Sequence, residues 1–312
     1  MNIIKKISIK SRLYIAVLLI LLFSITISAT GCAQKQQSAS DSEKSAPTKT
    51  AQSLLVYAGS ASKPPTEEAA KVFEQKTGIK IDLVFGGSGA VLSQMELNKK
   101  GDLYFPGSSD FMDKAKTKNL VLPDTEKRIV YLVSAINVQK GNPKGITGLK
   151  DLTKPGIKVA IANPETVCVG LYAVEIIENS LSPEEKAALK KNIINYTESC
   201  DKTATAISMK TVDAVIGWSV FQYWDPNNIE TIPLNKDQVQ RIGYIPIAIS
   251  TFSKNKETAQ KFIDFLDSKE GKAIFAKYHY FATAQEAKDY IGTDKPVGGE
   301  YTLPKGWVTG GS

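Results

Sequence analysis

Four short stretches hold the residues best suited to chemistry, and none of the four contains a charged side chain. They are Gly59-Ser60-Ala61-Ser62, Gly86-Gly87-Ser88-Gly89-Ala90, Val167-Cys168-Val169-Gly170 and Ile216-Gly217-Trp218-Ser219. Glycine and serine in such places expose backbone N–H groups and hydroxyls. A helix start adds partial positive charge and unpaired donors, so a set of them binds an anion without a cationic side chain. A fully ionised dianion accepts hydrogen bonds from neutral donors on every side. A carboxylate ligand more often recruits an arginine fork, and a protonated phosphate needs an acceptor such as Asp. The lining therefore leans toward molybdate, tungstate or sulfate. Each stretch, taken alone, also reads as an ordinary turn or helix cap, so the convergence of four carries the weight.

The elements that must position these stretches follow from apolar periodicity. Leu54 to Ala58 reads as a strand and Pro64 to Lys76 as a helix with Ala69, Val72 and Phe73 on one face, ended by Thr77-Gly78. Ile79 to Phe85 is a second strand, and Ser88 opens a helix whose apolar face is Val91, Leu92 and Met95. A short strand, Asp102 to Phe105, and a helix near Asp110 to Lys118 complete a β-α-β-α-β order. That order predicts a parallel sheet covered by helices, with ligands at the carboxyl ends of its strands.

Ile129 to Val138 reads as a long apolar strand leaving this unit. A second unit follows with Val159 to Ile161, helices over Gly170 to Asn179 and Ser182 to Lys191, Ile193 to Thr197, a helix over Lys202 to Lys210, and the strand Asp213 to Trp218. Ile242 to Ser250 carries the chain back. The helix Lys256 to Asp267, with Ala259, Phe262, Ile263 and Leu266 on one stripe, should pack on the first sheet. Two α/β units joined by two long strands make a hinged pair of lobes with a cleft between them.

The N-terminal end reads as a lipoprotein leader. Lys5, Lys6, Lys10 and Arg12 precede an apolar run from Leu13 to Ile27, too short for a membrane-spanning helix and suited to a signal segment. Small residues then lead into Cys32, the expected site of lipid attachment. Residues 33–52 lack aromatic and large aliphatic side chains and cannot offset their ordering entropy, so a flexible tether is expected there. The expected organisation is a leader over 1–31, a tether over 32–52, a first lobe over 53–133 and 247–312, and a second lobe over 134–246. Four of the seven net positive charges lie in the leader. No basic cluster interleaved with aromatics remains to support nucleic-acid binding.

Beyond Cys32 the cysteines are Cys168 and Cys200. Outside the cytoplasm they are candidates for a disulfide, with two separate buried thiols as the alternative. Closing that loop would stabilise the fold by roughly 3–4 kcal/mol in the chain-entropy model. With His279 the single histidine, no zinc-binding spacing occurs.

Several segments resemble the molybdate-binding proteins of ABC importers. They are FEQKTGIKIDLVFGGSGAVLSQME (Phe73 to Glu96), VAIANPETVCVGLYAVEIIE (Val159 to Glu178), AVIGW (Ala214 to Trp218), YIPIAIS (Tyr244 to Ser250) and FAKYHYF (Phe275 to Phe281). The resemblance covers Leu54 to about Tyr280, and the GGSGA and NPE…GLYA phrases are its most specific parts. It implies an α/β, two-lobed, type II periplasmic-binding fold, each lobe a mixed sheet flanked by helices, closing on one oxyanion. It also implies a permease and ATPase as partners, a bilayer reached through acylated Cys32, a monomer, and no cofactor. By the family's pattern Ser88 is the serine of the second loop. Val169 with Gly170 and Ile216 with Gly217 supply backbone groups from the second lobe, and Tyr244 is the tyrosine. The first loop departs from the pattern: Ala61 stands where a serine belongs, flanked by Ser60 and Ser62. Pro106-Gly107 replaces the usual run after the third strand.

Other readings have weaker support. An exported hydrolase using Ser88 has only His279 as a partner, and GGSGA is not a nucleophile elbow. Trp218, Tyr223 and Trp224 can line a sugar cleft, although core and hinge packing accounts for them as well. A ferric-ion binder would use paired tyrosines and carboxylates, and no adjacent Tyr-Tyr occurs.

Overall fold

The computed structural model describes residues 53–307. The leader, Cys32 and the tether lie outside the described residues.

Three β-α units build the first half of the fold: β1 (Ser53–Gly59) with α1 (Lys63–Thr77), β2 (Lys80–Gly86) with α2 (Ser88–Asn98), and β3 (Leu103–Phe105) with α3 (Ser109–Thr117). Prolines at the start of α1 cost no helix hydrogen bond, and Gly78 ends that helix at φ 71°, a left-handed cap. Strand β4 (Lys127–Leu132) leads to the second lobe.

There β5 (Ser134–Gln139), β6 (Val159–Ala162), α4 (Cys168–Ser180), α5 (Pro183–Asn192), β7 (Ile193–Thr197), α6 (Cys200–Ser208), β8 (Ala214–Trp218), α7 (Phe221–Trp224) and β9 (Ile229–Pro233) follow in order. Ser182 and Glu185 close a capping box at the head of α5. The chain returns through β10 (Gly243–Ile249) and ends in α8 (Lys256–Asp267), α9 (Lys269–Lys277) and α10 (Ala284–Ile291).

The strands form two five-stranded mixed sheets, ordered β2-β1-β3-β10-β4 and β7-β6-β8-β5-β9. In the first, β1 runs parallel to β2 and β3, while β10 is antiparallel to β3 and β4. In the second, β6 is parallel to β7 and β8, and β5 is antiparallel to β8 and β9. The architecture is thus the two-lobed α/β binding-protein fold expected.

The apolar run from Ile129 to Val138 is not one strand but two. Val133 separates β4 from β5, because Leu132 pairs with Gly243 in the first sheet and Ser134 with Trp218 in the second. The return strand β10 lies entirely in the first sheet and shifts register at Ile245/Pro246, where proline has no N–H for the ladder. The stripe Ala259, Phe262, Ile263 and Leu266 is fully buried. The core around the first sheet continues without a break into Val167, Cys168, Val169, Tyr172 and Cys200 of the second lobe, so the lobes are shut against each other.

Candidate functional site

Parallel strands place their carboxyl ends, and the helix starts that follow, on one edge of each sheet. In the first lobe that edge carries Ser60–Ser62 before α1, Gly87-Ser88 at α2 and Gly107–Ser109 at α3. In the second it carries Cys168 at α4 and Cys200 at α6. The two edges face each other.

Ser88 and Gly107 are the centre of the first-lobe half. The Gly107 backbone N–H donates to Ser88 Oγ at 3.0 Å, and Tyr104 Oη donates to the Ser88 carbonyl at 2.9 Å. A methyl group placed on Gly107 would lie 2.5 Å from both Ala61 Cβ and Cys168 Sγ. Only glycine fits where the two lobes and the first loop approach this closely. Beside it Ser108 Oγ is fully buried and has no hydrogen-bond partner. A buried orphan hydroxyl carries a desolvation cost that a bound acceptor would relieve.

Polar contacts cross the cleft beside Ser60 and Ser88. Gly89 donates its backbone N–H to Thr166 O at 2.8 Å. The Asp201 N–H, in the first turn of α6, donates to Ser60 Oγ at 3.3 Å. Lys63 Nζ lies 3.8 Å from an Asp201 carboxylate oxygen. Burial raises the Asp201 pKa, but hydrogen bonds from Ser199 and Ser60 and the Lys63 charge outweigh it, so the carboxyl is held below its ordinary range.

Ser60 and Ser88 are both 1 % exposed. Ser88 Oγ accepts the Gly107 N–H, which leaves its hydroxyl proton free to donate, whereas the Ser60 hydroxyl turns to the Asp201 carboxylate. Ser88 is thereby set as a donor toward a ligand.

The other residues singled out in the sequence divide into two groups. Ala61 faces Gly107, and its carbonyl accepts from Tyr280 Oη at 2.6 Å. Ser62 is buried and shares a hydroxyl contact of 3.1 Å with Thr66 inside its own helix start. Val169 and Gly170 lie in the first turn of α4, with the Gly170 N–H turned back to Val167 O at 3.1 Å. Cys168 and Cys200 are free buried thiols whose sulfurs are 3.6 Å apart. These residues belong to the cleft faces.

Ile216 and Gly217 instead sit within β8, paired with Ile136 and Ala135 of β5. Tyr244 stands in β10, its ring 6.3 Å from that of Tyr131 and 4.4 Å from the Arg128 guanidinium.

Sequence reasoning missed the α6 start, Ser199-Cys200-Asp201, and the tyrosine Tyr280. Ser199 caps α6 by accepting from the Lys202 N–H. A serine followed by a helical pattern directly after β7 was the available signal. Tyr280 lies in the FAKYHYF segment, but its partner Ala61 is 219 positions away, so local pattern gives it no role.

The fold and the cleft between its lobes are those of a two-lobed solute-binding protein. Residues 54–281 match the model of the bacterial extracellular solute-binding protein family, and the chain belongs to that family. A Haemophilus influenzae protein named for binding alone is 28% identical over 71% of this chain and 88% of its own. A Bacillus subtilis lipoprotein, YvgL, named for substrate binding in an ABC transporter, is 25% identical over 81% and 92%. The sulfate-binding protein of Synechococcus elongatus is 29% identical over 70% and 68%. Among solved structures, the sulfate-binding protein SubI of Mycobacterium tuberculosis superposes with a TM-score of 0.68 at 16% identity, over 78% of this chain and 92% of that one. The periplasmic molybdate-binding protein of Azotobacter vinelandii gives 0.64 at 16%, over 74% and 99%. At that identity these likenesses speak for the fold.

Proposed function

We propose that this protein captures a fully deprotonated tetrahedral oxyanion, molybdate or tungstate, and delivers it to an ABC importer from a membrane anchor at Cys32. The observation that carries the proposal is the buried serine Ser88, whose oxygen accepts the Gly107 N–H and so leaves its proton for a ligand. In this reading the Ser88 hydroxyl donates to the anion. The starts of α2, α4 and α6 add partial positive charge. The orphan Ser108 hydroxyl supplies a further donor.

Among the described residues, no free carboxylate joins this inner set. The one carboxylate at its edge, Asp201, is engaged by Lys63, Ser60 and Ser199. A ligand that retains a proton, such as hydrogenphosphate, therefore finds no partner for it, and an unpaired buried donor is costly. Sulfate matches molybdate in charge and shape, so cavity size must separate the two. Relatives named for sulfate and for molybdate binding both support an oxyanion.

Closure supplies the mechanism of capture. Ser88 and Ser108 come from the first lobe and the starts of α4 and α6 from the second, so the shell is complete only when the lobes shut. The importer then recognises the shut form.

Calorimetric titration of the mature protein with molybdate, tungstate, sulfate and phosphate tests the reading. Dissociation constants below about 10 μM for molybdate or tungstate are expected, the range of tight capture. Weaker binding of every inorganic oxyanion than that sinks the proposal. A preference for sulfate keeps the class and reassigns the ligand.

A further inference from the structure

We infer that Cys168 and Cys200 are a modification site, a reversible disulfide on the second lobe's face of the cleft that tunes the affinity of the ligand site. The inference rests on the oxyanion reading for its effect on binding, but not for its chemistry.

The two thiols occupy equivalent places on two helices. Cys168 is the first residue of α4 and Cys200 the first of α6. Both are 1 % exposed, and their sulfurs are 3.6 Å apart. Disulfide formation therefore needs a small inward movement of two side chains rather than a rearrangement of helices. Both helices belong to the second lobe, so the bond would not pin the hinge. It would tie together two helix starts that carry donors: the Val169 N–H beside Cys168 and the Asp201 N–H beside Cys200, the latter already reaching Ser60 across the cleft.

Access to the pair is controlled by the hinge. Cys168 Sγ lies against Gly107 of the first lobe, so parting the lobes uncovers it. Burial pushes the Cys200 thiol well above its ordinary pKa, and the neighbouring Cys168 adds to that. Cys168 is thus the thiol that meets an oxidant first.

The chemistry is thiol–disulfide exchange with an external disulfide, either an oxidised dithiol protein or oxidised glutathione. With the lobes apart, the Cys168 thiolate attacks one sulfur of the external disulfide and expels the other as a thiolate. Cys200 then loses its proton and attacks Cys168 Sγ in the mixed disulfide, expelling the second thiolate. Two electrons and two protons pass from the pair to the oxidant. An extracytoplasmic location supplies such oxidants. The bonded form holds both donor-bearing helix starts in fixed relation, and this preorganisation favours binding.

The test uses the full chain carrying Cys32→Ala, so that the pair are its only thiols. Reduced protein is incubated with oxidised glutathione, with and without saturating molybdate, then denatured and alkylated to count free thiols. Both thiols should disappear without molybdate, and about tenfold more slowly with it, because ligand holds the lobes shut. Oxidised protein should bind molybdate about fivefold more tightly than reduced protein, reversed by a dithiol reductant. A Cys200→Ser variant should stop at glutathione attached to Cys168 and lose molybdate binding, since that bulk blocks closure. Two alkylatable thiols after oxidation, or equal affinity in both states, overturns the inference. Absence of molybdate, tungstate or sulfate binding in both states overturns the oxyanion reading instead, with disulfide formation still scored by alkylation.

Discussion

The Arg241 guanidinium grips Asp110 through two parallel hydrogen bonds of 3.0 Å, joining the first turn of α3 to the segment that enters β10. Its Nε donates to Glu175 of α4 at 2.7 Å, and the ring of Tyr172 lies 4.0 Å from the guanidinium carbon. Arg241 therefore links a first-lobe helix to a second-lobe helix within a nearly water-free setting. A bidentate fork of this kind fixes orientation as well as charge.

Replacing Arg241 with Ala would leave Asp110 charged, buried and unpaired. A loss of about 3–5 kcal/mol of stability is expected, read as a drop in the denaturant midpoint. The triple change Arg241→Met, Asp110→Leu and Glu175→Met should cost far less, because it removes all three buried charges together. Equal losses for the two variants would mean that unpaired buried charge is not what makes the single change costly.

Asp201 governs the pH response of the cleft. Its carboxyl is held below its ordinary value when it faces Lys63 and Ser60. A group depressed in the shut form stabilises that form above the pKa of the open form, and the contribution is lost as pH falls through the depressed value. The unliganded protein should therefore open as pH drops below about 4, seen as a larger radius of gyration by X-ray scattering. Asp201→Asn should remove that step and leave the cleft more open at neutral pH. A radius that stays constant down to pH 3 in the wild type, before unfolding, speaks against a latch here.

Much of this framework is legible in the sequence, for physical reasons that also mark its limits. The stripe Ala259, Phe262, Ile263 and Leu266 repeats at helical spacing and is buried as that spacing demands. Strand β9 escapes notice because Glu230 and Thr231 break its apolar run, and its place is set only by pairing with β5. The division of Ile129 to Val138 into β4 and β5 depends on which strands lie beside each half, information absent from local pattern. At the site, the α6 start differs from the four uncharged loops in carrying Asp201, yet its backbone N–H is the part that meets Ser60. Tyr244 and Tyr280 are alike in type, but tertiary contacts put Tyr280, not Tyr244, against the first loop.

Ser88→Ala tests the donor role directly. The change removes the hydroxyl proposed to donate to the anion and strands the Gly107 N–H that it now accepts. Affinity for the preferred oxyanion should fall by about 1–3 kcal/mol in calorimetry, the cost of leaving a buried polar group unsatisfied. Global stability should change less, since Ser88 carries no apolar packing load. Unchanged affinity would move the anion away from the α2 start.

The C-terminal segment makes a third connection between the lobes, and Trp307 is its anchor. After α10 the chain pairs Val297 with Ile242, passes Gly299 O under Arg241 at 2.6 Å, and donates the Tyr301 N–H to Asp110 at 3.2 Å. Trp307 then sinks to 1 % exposure in the second lobe's core. Its indole N–H donates to Glu178 at 2.6 Å, and Lys190 Nζ lies 4.1 Å from its ring. This strap lies beyond the family match, which stops at residue 281. A strand-borne hinge allows the lobes to rotate, but a strap fastened in the far lobe restrains how widely they part. Trp307→Ala should cost about 3–5 kcal/mol in denaturant unfolding, the usual range for a large aromatic removed from a core. It should also increase the radius of gyration of the unliganded protein and speed oxyanion release in stopped-flow measurements. If stability falls while release and radius stay as in the wild type, the strap holds the second lobe together without restraining the hinge.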